Sequence, residues 1–178
     1  MRRRGQRRSP ALIATAIALP VAVLVGFLVF AVLAQKKHSD GQHLLRDVAA
    51  PSASDAACGS LIAAMPQKLG EFTRDSTTGP AGYARWQSTD SGTVELRCGV
   101  ERPARLTRTS SLQMVDTTQW LSVAPSESSQ SGLGSYWFAV DHRPYVQMWI
   151  PDNSGTAAIQ AASDAVNHTL KPASLDFG

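Results

Sequence analysis

A run of 24 residues without a single charge, from Ala11 to Ala34, sets the first limit on what this chain can become. As a helix rising about 1.5 Å per residue, it is long enough to cross the ~30 Å hydrocarbon core of a bilayer. Backbone N–H and C=O groups find no water there, so a lone span must satisfy them internally, and a helix does so. Arg2, Arg3, Arg4, Arg7 and Arg8 precede the run, whereas Lys36, Lys37 and, further on, Arg46 follow it. Five cations against three orient the N-terminus to the cytoplasm by the positive-inside rule. The remainder is then expected outside the plasma membrane, in a single-pass arrangement. A cleaved signal peptide is the alternative, with Val32-Leu33-Ala34 as its small-residue cleavage site. Its apolar core is usually ~7–15 residues, so the length favours an uncleaved anchor. Pro20 sits mid-run and removes one backbone donor, which a span tolerates. Ala14, Ala18, Ala22 and Gly26 recur every fourth residue and form a small-residue stripe on which a second helix can pack closely. The plainer alternative is an alanine-rich span with no helical partner.

The charge of the whole chain, formally +3, hides two unlike parts. The five N-terminal arginines contribute +5, while the residues from His38 onward hold ten Lys/Arg and fourteen Asp/Glu, a net −4. A basic tail beside a membrane suits anionic lipid headgroups. A nucleic-acid partner would require a basic domain, and this one is acidic. The expected organisation is a basic cytoplasmic tail over 1–10, a transmembrane helix over 11–34, a linker over 35–53, an α+β domain over 54–171 and a C-terminal tail over 172–178. The linker is polar apart from Leu44-Leu45.

Within the domain, Ser54 is placed to cap a helix from Asp55 to Met65, stopped by Pro66. Cys58, Ile62 and Met65 share one face of it. Val94 to Val100 alternates as a strand, with Val94, Leu96, Cys98 and Val100 on one side and Glu95 and Arg97 on the other. Cys58 and Cys98 are the only cysteines, both beyond the apolar run and both on inward faces. An even count in an oxidising compartment points to a disulfide between them. Buried free thiols are the alternative, and a zinc site lacks the paired ligand spacing it needs.

Further strands are expected at Tyr83 to Gln87, Leu112 to Val115 and Gln119 to Val123. A hairpin from Ser135 to Val140 and from Tyr145 to Ile150 turns through Asp141-His142-Arg143-Pro144. Ser126 to Gly134 is a Ser/Gly-rich loop. Ser154 can cap a last helix over Thr156 to Leu170, whose apolar stripe comprises Ala158, Ile159, Ala161, Ala162, Ala165, Val166 and Leu170. The order helix, strands, helix predicts an antiparallel sheet with an N-terminal and a C-terminal helix packed on one face.

The string Leu96-Arg-Cys-Gly-Val-Glu-Arg-Pro-Ala, followed by Leu106-Thr-Arg-Thr-Ser-Ser-Leu, Val115 and Trp120, resembles an uncharacterised family of actinobacterial membrane-anchored extracytoplasmic proteins, a domain of unknown function. The likeness takes in Ala56-Ala-Cys58 and the helix to Leu69, and Tyr83-Ala-Arg-Trp86, covering roughly residues 55 to 150. It implies a compartment and a cysteine pair, and no catalytic residues.

Chemistry is sparsely written in the chain. Asp141-His142 and Asp164 with His168 pair a carboxylate with an imidazole, the arrangement that orients a general base. No nucleophile elbow, His-Glu-x-x-His or Ser-x-x-Lys string accompanies them, so both are expected as surface contacts and no catalytic, metal or cofactor residue is assigned. Arg97, Arg102, Arg105 and Arg108 crowd one stretch, where guanidinium groups can grip the phosphate of a polymer or a lipid headgroup. The alternative is a solvated face with local ion pairs involving Glu95 and Glu101. Trp86, Trp120, Trp137 and Trp149 are expected in the core. Trp149 is out of phase with Val146, Met148 and Ile150, so either its strand is buried on both faces or Trp149 is exposed to meet a ligand or partner. The function expected is a non-enzymatic envelope-associated binding or assembly module. The alternative is a hydrolase or transferase acting on envelope polymers.

Overall fold

A computed structural model describes residues 23, 25, 26, 44–76, 79–126, 133–152 and 154–178. The chain divides into two compact units, Met1–Gly41 and Gln42–Gly178. Of the first, Val23, Val25 and Gly26 are helical and solvent-exposed. The rest of the apolar run, with Ala14, Ala18 and Ala22, lies outside the described residues. Among the described residues no helix is long and apolar enough to cross a membrane.

The second unit is built on eight antiparallel strands: β1 (Lys68–Leu69), β2 (Phe72–Arg74), β3 (Tyr83–Ser88), β4 (Gly92–Val100), β5 (Leu112–Val115), β6 (Thr118–Val123), β7 (Gly134–Ala139) and β9 (Tyr145–Pro151). Their order across the sheet is β1-β2-β3-β4-β9-β7-β6-β5. Two meanders thus meet along one central seam, where Leu96 faces Met148 and Cys98 faces Val146. A two-stranded annex pairs β8 (His142–Arg143), in the β7–β9 connection, with β10 (Lys171–Pro172).

Two helices, α1 (Ala56–Ala64) and α2 (Ala157–Thr169), cover one face of the sheet, giving the expected α+β arrangement. Leu61 and Met65 of the α1 region, with Ala158, Ala162 and Val166 of α2, meet Trp86, Val94, Leu96, Trp120, Val146 and Met148. Cys58 and Cys98 are joined in this core, with Cα atoms 5.5 Å apart and both residues fully buried. The bond fastens α1 to the central strand. Trp120 donates its indole N–H to Ser163 Oγ at 2.9 Å, so a serine sits within the buried stripe of α2. At the other end of α1, the Arg74 guanidinium donates to the Met65 and Ile62 carbonyls at 3.0 and 2.9 Å, the placement favoured by a helix C-terminus.

Several local expectations change. Asp55, not Ser54, caps α1, accepting the Ala57 N–H at 2.9 Å. Ser154 turns back to the Pro151 carbonyl instead of capping α2, whose N-cap is Thr156 without a side-chain bond. β9 runs through Pro151. The 172–178 segment is not a loose tail: Pro172 pairs with His142, and Leu175 and Phe177 pack against Leu106, Leu121 and Val140.

The largest correction concerns residues 44–53, expected as linker. They fold onto the second face of the sheet. Leu45 is fully buried against Tyr83 and Trp149, and its N–H donates to Glu95 Oε2 at 2.7 Å. Both central strands are therefore buried on both faces, and Trp149 is a core residue, only 5% exposed. Gly99 explains how the strap fits. Its φ is +84°, and a Cβ there would lie 2.3 Å from the Ala53 nitrogen. A side chain of any kind at this position would be incompatible with that conformation and that approach, so glycine is required.

Candidate binding cleft

The charged side of β4 is occupied by a buried polar row rather than by solvent. Glu95 sits opposite Arg85 on one flank and Trp149 on the other. The Arg85 Nε lies 3.7 Å from Glu95 Oε1, and Tyr83 hydrogen-bonds the same carboxylate. Burial first, then the Glu95 charge and hydrogen bond, push the Tyr83 hydroxyl well above the ordinary tyrosine range. Arg97 donates to the Ala81 carbonyl at 2.7 Å and to the Val48 carbonyl at 3.3 Å. The strap over 44–48 closes this row, so Arg97, expected as a surface ligand contact, is a structural clamp.

The four arginines do not form one patch. Arg105 is exposed, and Arg108 stacks 5.5 Å from the centre of the Phe177 ring. Arg102 alone reaches a concavity. This cleft, about 590 Å3, is lined by segments far apart in sequence. Pro51 and Ser52 come from the strap, Asp55 and Ala57 from the start of α1, and Val100, Glu101 and Arg102 from the end of β4. Arg143, Pro144 and Tyr145 come from the β8–β9 turn, where the Arg143–Pro144 bond is cis, Thr169 from the last residue of α2 and Lys171 from β10.

Pairing of β8 with β10 sets Lys171 opposite Arg143. Arg143 is held by the carbonyls of His142, Val140 and Ser174 at 2.9, 3.1 and 3.2 Å, and its guanidinium carbon lies 3.8 Å above the centre of the Tyr145 ring. Arg102 spends one nitrogen on the Leu106 carbonyl at 3.2 Å. Among the described residues, neither Arg102, Arg143 nor Lys171 has a carboxylate within ion-pair distance, although Asp55 and Glu101 line the same cleft. Asp55 is already turned to its capping role. The Tyr145 ring lies beneath Arg143, and its hydroxyl is buried without a hydrogen-bond partner. Burial raises its pKa, Asp176 adds to this, and Arg143 and Arg102 pull it back.

The two Asp–His pairs do not meet the cleft. His142 is buried, its Nδ1 2.8 Å from Asp141 Oδ1, while Asp141 Oδ2 accepts the Gln119 N–H at 2.9 Å. The pair ties the hairpin turn to β6. His168 donates from Nδ1 to the Asp164 carbonyl at 2.6 Å on the exposed side of α2, beside a shallow hollow lined by small residues and Pro66. Among the described residues no three His, Cys, Asp or Glu side chains converge as metal ligands.

Sequence reasoning found Arg102 and missed Tyr145, Arg143 and Lys171. The one local signal was the proline after Arg143, which marks the turn where that cation is held; Lys171 lies in a two-residue strand too short to declare itself.

The model of the family described as "Protein of unknown function (DUF3515)" matches residues 17–175. No curated protein and no solved structure matches the chain.

Proposed function

The chain belongs to that family, which brings no reaction or ligand with it, and we propose that the protein is a single-pass, membrane-tethered binding module whose disulfide-stapled domain works outside the cytoplasm, with the cleft at Arg102, Lys171 and Tyr145 as its binding site. The observation that carries this reading is the Cys58–Cys98 bond, fully buried and joining α1 to the central strand. Such bonds form and persist in oxidising compartments. The arginine-flanked apolar run supplies the route there and the tether. The cleft supports the binding of an anion because Arg102, Arg143 and Lys171 bring positive charge and hydrogen-bond donors to it.

Fusing a reporter that is active only outside the cytoplasm after Gly178 tests the topology. An active fusion is expected, and a silent one beside an active cytoplasmic reporter refutes the placement. Photo-crosslinking from position 171 in living cells tests the cleft. A cell-envelope adduct absent from a probe on the far face of α2 is expected, and identical capture from both positions refutes the cleft as the site.

A further inference from the structure

Resting on the reading of the cleft as a binding site, we infer that its ligand is a phosphodiester: a singly charged phosphate group carried by a lipid headgroup or by a soluble or polymeric diester. Three observations converge. First, the donors with unspent capacity come from three separate elements. Arg102 has nitrogens beyond the one given to Leu106, Lys171 has no ion-pair partner among the described residues, and Tyr145 has a buried hydroxyl without any partner. A buried unsatisfied hydroxyl is costly, and a ligand oxygen is the group that would satisfy it. Donors arriving from a β4 loop, a β10 edge and a β9 ring suit a tetrahedral anion better than a planar carboxylate, which presents two oxygens in one plane.

Second, the charge of the lining selects a monoanion. Three cations, Arg102, Arg143 and Lys171, stand against two lining carboxylates, Asp55 and Glu101, and a third carboxylate, Asp176, also acts on Tyr145, so little positive charge is in excess and a singly charged ligand is favoured over a doubly charged one. A phosphodiester carries one negative charge. A phosphate monoester near neutral pH carries closer to two, and inorganic phosphate is a mixture of mono- and dianion there, so each meets the rim carboxylates with more like charge than a diester does. Third, Arg143 is immobilised by three carbonyls and by the Tyr145 ring, so it fixes the positive field without needing to close on the ligand. A cation already ordered loses little side-chain freedom when an anion arrives.

The test uses the full chain in a phosphate-free maltoside detergent. Calorimetric titration with glycerophosphoglycerol, a soluble diester, is run beside titration with phosphatidylglycerol added to the micelles and with inorganic phosphate. Saturable binding of at least one diester is expected, and inorganic phosphate should bind more weakly. The Arg102→Gln/Lys171→Gln double variant should lose roughly tenfold or more in diester affinity, the scale of charge-assisted hydrogen bonds. Tyr145→Phe should weaken the diester several-fold while leaving the thermal midpoint unchanged or raised, since it deletes an unsatisfied group. A purely structural Tyr145 would leave diester affinity untouched. Binding of the soluble diester assigns a free or polymeric source, and binding of phosphatidylglycerol alone assigns a headgroup. No diester binding, binding that the double variant leaves intact, or tighter inorganic phosphate overturns the inference. Should the diester fail while the crosslink from position 171 stays site-specific, the ligand class is wrong and the binding-module reading stands.

Discussion

Leu45→Ala separates a strap from a linker. Leu45 is fully buried between Tyr83 and Trp149, with Leu44, Val48 and Tyr136 around it. Truncating a buried leucine generally costs about 2–5 kcal/mol, the transfer of the lost carbons plus the cavity they leave. Here the cavity would lie under a short segment that can settle inward, so the lower part of that range applies, about 2–3 kcal/mol. For a domain of this size that lowers the melting midpoint by about 5–10 °C. The backbone bond from the Leu45 N–H to Glu95 is retained in the variant, so the loss reads packing alone. Urea unfolding of the Gln42–Gly178 unit followed by tryptophan fluorescence is the assay, because Trp149 lies directly beneath Leu45. The midpoint should fall with an unchanged slope. Alanine at exposed Ser54, whose side chain does not cap α1, should move stability by less than about 0.5 kcal/mol. A Leu45→Ala value equally small would refute the claim that residues 44–53 belong to the folded unit.

Replacing both cysteines by alanine should cost about 4 kcal/mol for a 40-residue closed loop, read as a lower urea midpoint under non-reducing conditions; equal stability of the two proteins would mean that the bond constrains nothing. Ser163→Ala strands the buried Trp120 indole N–H and should cost about 1–3 kcal/mol, whereas alanine at exposed Asp164 should cost far less. Tyr83 and Tyr145 both hold their protons more tightly when folded, so their contribution is complete below the ordinary tyrosine pKa of about 10 and drains away as pH rises past it. Tyr83→Phe should therefore flatten the alkaline limb of the stability curve; an unchanged limb would remove Tyr83 as its cause.

Much of the central architecture could be read from residue patterns. The alternation in Val94–Val100 needs no tertiary information, Tyr145–Ile150 reads as a strand although Trp149 breaks its phase, and the 3.6-residue stripe of α2 likewise declares itself. The strap escaped because one Leu-Leu pair in a polar stretch carries no period. Its effect then propagated. Glu95 and Arg97 alternate with apolar residues, which on a one-sided sheet means solvent. Here the strap covers that side, so the same pattern describes a buried polar row. β1 and β2 are two and three residues long, too short to show any alternation. The caps failed by competition among adjacent residues: Ser54 and Asp55 are both good N-caps, and the strap's path decides between them. The cleft draws on four stretches from 51 to 171, so only the cation-rich one, around Arg102, was visible in advance.

The pairing of Cys58 with Cys98 has a consequence for how the protein matures. With two cysteines in the chain, only one intramolecular bond can form. No scrambled isomer exists, so maturation requires an electron acceptor and no shuffling of mispaired bonds. Once made, the bond lies where neither residue is exposed, and a thiolate reductant reaches its sulfurs only when the helices lift from the sheet. The rate at which the native protein is reduced by a small thiol is then a clock for the opening of the whole core.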